Sequence, residues 1–190
     1  MGGNRVEEDR KLVLEVLDGN IDSFNILVNK YEIIVLKFIY NIIKNKEAAE
    51  DISQEVFITV YNKLYTFKSE YKFSNWLFQI AKNKCIDYIR KYRRVYESNI
   101  EDAADITSLE ISPEESMEYK ETKSMVQSFL KTLEELDRLI LTLRYTKEDF
   151  TFGDIAEVLN MNESAVKRRY YKIREKFKEY MACTEKRCRI

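Results

Sequence analysis

Pro113 is the only proline in a chain of 190 residues, and only four glycines accompany it. Proline and glycine stop helices and shape tight turns. A chain this poor in both must be built from long, uninterrupted elements. Its apolar residues recur at helical spacing: Phe24, Leu27, Val28, Tyr31, Val35, Phe38, Ile39 and Ile42 share one side of a helix. The same periodicity predicts helices over 6–17, 23–44, 47–65 and 75–94, and again over 118–130, 133–145, 152–159 and 163–181. The expected fold is therefore all-α. Asp18-Gly19-Asn20 breaks the first helix from the second, with Gly19 suited to a helix C-terminus, Asp22 to the cap of the second helix and Ser74 to that of the fourth.

Periodicity fails after Arg94. The segment VYESNIEDAADITSLEISPEES is acidic and reads as a flexible linker. This divides the chain into a helical domain at 1–94, a linker at 95–117, a second small helical domain at 118–182 and a loose tail at 183–190. At about 3.3–3.6 Å per residue the stretched linker reaches roughly 80 Å.

The net charge of −1 conceals a strong pattern. Lys82 to Arg94 carries six bases and one acid, and Glu163 to Lys178 seven bases and two acids. Between them, Glu97 to Glu121 holds nine acids against Lys120 alone. Two basic blocks flank an acidic one, which marks an interaction protein.

Composition also argues against catalysis and cofactors. There is no histidine, the commonest general base, and no Gly-rich phosphate loop. Three cysteines, Cys85, Cys183 and Cys188, are too few for a disulfide framework or a zinc site, so no metal and no cofactor is expected. No apolar run approaches the length of a membrane span, and the stretch MGGNRVEEDRK lacks the apolar centre of a secretory signal. A cytoplasmic location is expected.

Thr151 to Lys176 has the pattern of a helix-turn-helix. Thr151 and Asp154 form a T-x-x-D cap for a short helix, Asn160-Met161-Asn162 makes the turn, and Asn162 can cap the helix that starts at Glu163. Asn160 tolerates the left-handed conformation that such a turn requires. On that last helix Val166, Tyr170, Ile173 and Phe177 form the inward stripe. Ser164, Lys167, Arg168, Tyr171, Lys172 and Glu175 lie opposite, with Arg169 at the margin, where it could pair with an acid or touch a phosphate. A merely solvated face would mix acids and bases. This one is nearly all basic over its first turns, as a helix in the major groove would be.

The stretch EDISQEVFITVYNKLYTFKSEYKFSNWLFQIAKNKCIDYIRKYRR, residues 50–94, resembles region 2 of the sigma factors of bacterial RNA polymerase, and is most similar to the extracytoplasmic-function (ECF) group. LEELDRLILTLRY and FGDIAEVLNMNESAVKRR resemble region 4 of the same group. The departures are Asn160 for the usual turn glycine and Glu134 where a proline is common.

The resemblance implies an alternative-type sigma factor without catalytic residues. Its partners would be core RNA polymerase, promoter DNA and an anti-sigma factor. On the third helix, Ala49, Ile52, Val56, Val60 and Leu64 lie inward, while Asp51, Gln54, Glu55 and Ile58 point out. An isoleucine among exposed carboxylates suits a protein partner, and the resemblance assigns this face to the polymerase clamp. It also assigns the 66–73 loop to capture of a base from the minus-10 strand, with Phe67, Lys68, Ser69, Tyr71 and Lys72 as contacts. Phe73 and Trp76 are expected to pack instead. Lys82, Asn83, Arg90 and Arg93, with Gln79, face away from the fourth helix's inner stripe of Leu77, Ile80, Ala81 and Tyr88, toward promoter backbone. The minus-35 element falls to the outer face of 164–172. The alternative is a stand-alone helix-turn-helix regulator that is not a polymerase subunit.

Overall fold

The computed structural model describes residues 2–98, 117–146 and 150–187. Among them are eight α-helices and one 3-10 turn, and no strand. The helices are α1 (Gly2–Leu17), α2 (Ile21–Ile43), α3 (Lys46–Lys63), α4 (Phe73–Ser98), α5 (Met117–Lys131), α6 (Glu135–Thr146), α7 (Phe152–Leu159) and α8 (Glu163–Arg187). Leu64–Thr66 is the 3-10 turn.

The ends of these helices follow from particular residues. Gly19, at φ +98°, terminates α1: its N–H donates to Val16 O, and Asn20 N–H to Glu15 O. These are the paired bonds of a Schellman ending. Asn20 then caps α2, its side chain accepting from Asp22 N at 3.0 Å. The cap is therefore Asn20 and not Asp22, which sits in the first turn where its charge still favours the helix dipole. Asn45 caps α3 in the same manner, accepting from Ala48 N at 2.9 Å.

Ser74 does not cap α4. It is buried inside the first turn, because Phe73 begins the helix and packs its ring on Tyr31 and Trp76. Two helices also run several residues further at their C-terminal ends than their periodicity predicts. α4 continues past Arg94 to Ser98, and α8 continues through most of the expected tail to Arg187. Neither extension contains a proline or glycine to stop it. The remainder of the expected linker, 99–116, lies outside the described residues, as does Cys188.

The inward stripes pack as their spacing requires. Leu27, Tyr31, Val35, Phe38 and Ile39 of α2 meet Ala49, Ile52, Val56 and Val60 of α3 and Leu77, Phe78 and Ala81 of α4. Asp9 is buried beneath them, accepting from Tyr31 Oη at 2.5 Å and Lys30 Nζ at 2.7 Å. Cys85 is buried too, and burial pushes its thiol up to about 12, which leaves it an unreactive packing residue.

The two helical halves are not separate in space. Leu139, Ile140, Leu143, Phe150, Ile155 and Val158 of the second half join the same core. Phe78 links Phe38 to Phe150 through two edge-on ring contacts, each at 5.2 Å between centroids. A smaller cluster of Phe129, Leu133 and Ile173, with Phe177 and Tyr180 against it, holds α5 to α8.

Candidate nucleic-acid interface

α7, its turn and α8 form the helix-turn-helix. Thr151 and Asp154 make a reciprocal capping box: Asp154 N donates to Thr151 Oγ1 at 3.1 Å, and Thr151 N donates to Asp154 Oδ2 at 2.9 Å. Asn160 turns the chain at φ +54°, with its N–H on Glu157 O and that of Met161 on Ala156 O. An asparagine thus performs the left-handed turn usually left to glycine. Asn162 opens α8, its carbonyl accepting from Ala165 N and Val166 N.

α8 divides along its axis as its spacing predicts. Val166 and Ile173 are buried, and Tyr170 and Phe177 half-buried. Ser164, Lys167, Arg168, Tyr171 and Lys172 all face solvent. Lys167 pairs with Glu163 at 2.7 Å, and this contact holds its ammonium above the usual lysine value. The Tyr171 ring leans on Phe152 and Tyr170, so an exposed aromatic is held at a set angle.

Arg169 belongs to the fold. Its guanidinium donates to Asp137 at 2.6 Å and to Glu134 at 3.2 Å, which ties α8 to the start of α6 and raises its pKa. Glu134, at a position where the resemblance expects proline, is one of its two partners.

In the first half, Asp51, Gln54, Glu55 and Ile58 form one exposed face on α3. Ile58 is 61% exposed, and Glu55 pairs with Lys84 of α4 at 2.9 Å. In the loop, Lys68, Ser69 and Tyr71 are exposed, with Arg10 donating to Ser69 Oγ. Phe67 is half-buried, its ring against Phe73 and Trp76. Phe73 is buried and Trp76 half-buried, in keeping with the packing roles expected of them. On α4, Asn83 and Arg90 are exposed, and Arg90 pairs with Asp87. The Arg93 side chain is outside the described residues.

Lys72 and Lys82 are half-buried, and their ammonium groups meet acceptors on α7. Lys72 Nζ lies 2.8 Å from Asp154 Oδ1, and Lys82 Nζ donates to Val158 O at 3.1 Å. Between them Asn75 donates to both Asp154 and Glu157, and Gln79 to Glu157 O. No local pattern signals this contact, because its donors and acceptors lie about 80 positions apart. A cleft of about 410 Å³ runs beside it, between the 66–71 loop and the helix-turn-helix, with Phe67, Lys68, Tyr71, Trp76, Asn160 and Met161 among its walls.

The family described as Sigma-70 region 2 matches residues 27–95, and Sigma-70, region 4 matches residues 129–179. The chain is 30% identical to the ECF RNA polymerase sigma factor SigW of Bacillus subtilis, over 90% of this chain and 96% of that one. It is 33% identical to the RNA polymerase sigma-H factor of Pseudomonas aeruginosa, over 89% and 91%. In fold it is similar to CnrH, solved in complex with the cytosolic domain of CnrY, at a TM-score of 0.69 and 21% identity, over 93% of this chain and 98% of that one. The chain belongs to the ECF sigma factors of the sigma-70 family, and is an alternative sigma factor. The reading as a stand-alone regulator is not supported, since the similarity extends through both halves and not through the helix-turn-helix alone. Among the described residues, no helix is long and apolar enough to cross a membrane.

Proposed function

We propose that the chain binds core RNA polymerase and directs it to promoters, contributing no catalytic group of its own. Asp51, Gln54, Glu55 and Ile58 on α3 dock the polymerase clamp. Ser164, Lys167, Arg168, Tyr171 and Lys172 on α8 read the minus-35 element. Phe67, Lys68, Ser69, Tyr71 and Lys72, with Lys82, Asn83, Arg90 and Arg93, engage the minus-10 element as it melts. Opening the duplex costs a few kcal/mol per base. Stacking on an aromatic ring returns about 1–3 kcal/mol per base, which suits the mixture of rings and cations in this loop. The protein works in the cytoplasm, and an anti-sigma factor holds it inactive by covering these surfaces. That partner class is supported by a protein of similar fold, the sigma factor RpoE of Bartonella quintana, which was solved in complex with the anti-sigma factor NepR.

The observation that carries this reading is the capped helix-turn-helix with a cationic outer face, joined in one chain to a region 2 match. Purified protein added to core polymerase should give run-off transcripts from promoters in a genomic fragment pool. The absence of any transcript above core polymerase alone would refute it.

A further inference from the structure

α6 ends beside α8 in a contact that the outer face of α8 does not require. Tyr145, in the last turn of α6, is 73% exposed, yet its hydroxyl lies 3.2 Å from that of Tyr170. From Tyr170 a set of ring contacts leads to the outer face. Phe152 meets Tyr170 edge-on at 5.1 Å between centroids, and Tyr170 meets Tyr171 in the same way at 5.6 Å. Arg144 anchors Phe152: its guanidinium lies 5.3 Å from the ring centroid, and the same group donates to Phe150 O. Tyr145 is thus the exposed end of a row of aromatic side chains whose other end is Tyr171.

A pair of phenol hydroxyls carries a proton on each oxygen and uses only one of them in the bond between them. The other is left to be donated outward. Tyr170 is half-buried and Tyr145 exposed, so the outward proton belongs to Tyr145. The charge around this hydroxyl is positive. The hydrogen bond with Tyr170 raises the Tyr145 pKa, and Arg174 and Arg144 oppose that shift through their charge. Arg174 lies one turn beyond Tyr170 on the same side of α8 and is exposed. The next acid along α8, Glu175, is paired with Lys178 at 2.8 Å. An outward O–H donor beside a guanidinium suits an anion with several acceptor oxygens.

We infer that Tyr145 and Arg174 form a phosphate seat at the α6–α8 edge, which grips one DNA strand beside the bases that the outer face of α8 reads. The inference rests on the function proposed above, since it extends the minus-35 face assigned there onto a second helix. Tyr170 donates to Tyr145, Tyr145 donates to a phosphate oxygen, and Arg174 supplies the charge. Phosphate contacts fix register and orientation but carry no sequence information themselves. The seat therefore sets how tightly the helix-turn-helix holds DNA, and Tyr171, whose ring leans on Tyr170, stays in register with it.

Tyr145→Phe and Arg174→Ala would be made in the full chain, with circular dichroism to show that each keeps its helicity. Binding to a fluorescein-labelled duplex of random sequence would be followed across salt concentrations. Run-off transcription with core polymerase would use templates with a randomised minus-35 element. The seat predicts about tenfold weaker duplex binding for Tyr145→Phe, with an unchanged salt slope because no charge is removed. Arg174→Ala should weaken binding and reduce the slope by about one. Neither variant should reorder minus-35 preference. Wild-type affinity in Tyr145→Phe, or a wild-type slope in Arg174→Ala, would overturn the seat. A reordered preference in Tyr145→Phe would overturn it too, by showing that Tyr145 acts on the bases through Tyr171. A wild-type chain that drives no transcription would instead overturn the sigma-factor reading, while the duplex measurements would still decide the seat.

Discussion

Neighbouring arginines on α8 have opposite fates. Arg168 is exposed on the outer face, while Arg169 is bound to Asp137, itself buried, and to Glu134. Arg168→Ala should leave stability unchanged and shift minus-35 preference by about 1–3 kcal/mol if a bidentate base contact is lost. Arg169→Ala leaves the Asp137 carboxylate without its strongest partner and should cost about 1–3 kcal/mol of stability, with promoter preference intact. Urea denaturation and a selection over minus-35 variants would separate the two. Helical spacing alone places Arg168 on the outer face and Arg169 at the margin. It cannot choose between acid and phosphate for Arg169, because Asp137 and Glu134 come from another part of the chain.

At the scale of elements, α7 depends on its cap and α3 on its two faces. Burial alone would raise the Asp154 pKa, but hydrogen bonds from Lys72, Asn75 and Thr151 outweigh it and hold the carboxyl below its usual value. A depressed folded pKa contributes stability that is complete above the unfolded value, about 4, and that is lost as pH falls through the lower folded value. Asp154→Asn should therefore lower stability at neutral pH and flatten its decline below about pH 4, as read from urea midpoints across pH. On α3, Asp51→Ala combined with Gln54→Ala should reduce co-purification with core polymerase severalfold, given the roughly 0.5–1.5 kcal/mol typical of each polar contact. Helicity should be unaffected, since both side chains are exposed. The T-x-x-D cap, the Gly19 ending and the inward stripe of α3 were legible because they depend on residues within one or two turns. The start of α4 was not. Phe73 is placed there by a ring contact with Tyr31, a residue 42 positions earlier.

At the scale of the molecule, the two halves share one core through Phe38, Phe78 and Phe150. The wild type should unfold in one transition. Phe150→Ala, which removes a fully buried ring at a typical cost of about 3–5 kcal/mol, should split it into two by calorimetry, because the second half keeps the Phe129–Ile173 cluster of its own. The helical class, the two halves, the acidic block between basic ones and the division of α8 into inner and outer faces were determined by the sequence itself. Each rests on local spacing, on the scarcity of helix breakers or on charge order along the chain. Tertiary structure alone decided that Lys72 and Lys82 face α7, that Phe67 shares a ring cluster, and that Phe78 and Phe150 join the halves. These contacts pair residues from different elements, most of them far apart in the chain, and no periodicity within one helix records which distant surface it will meet.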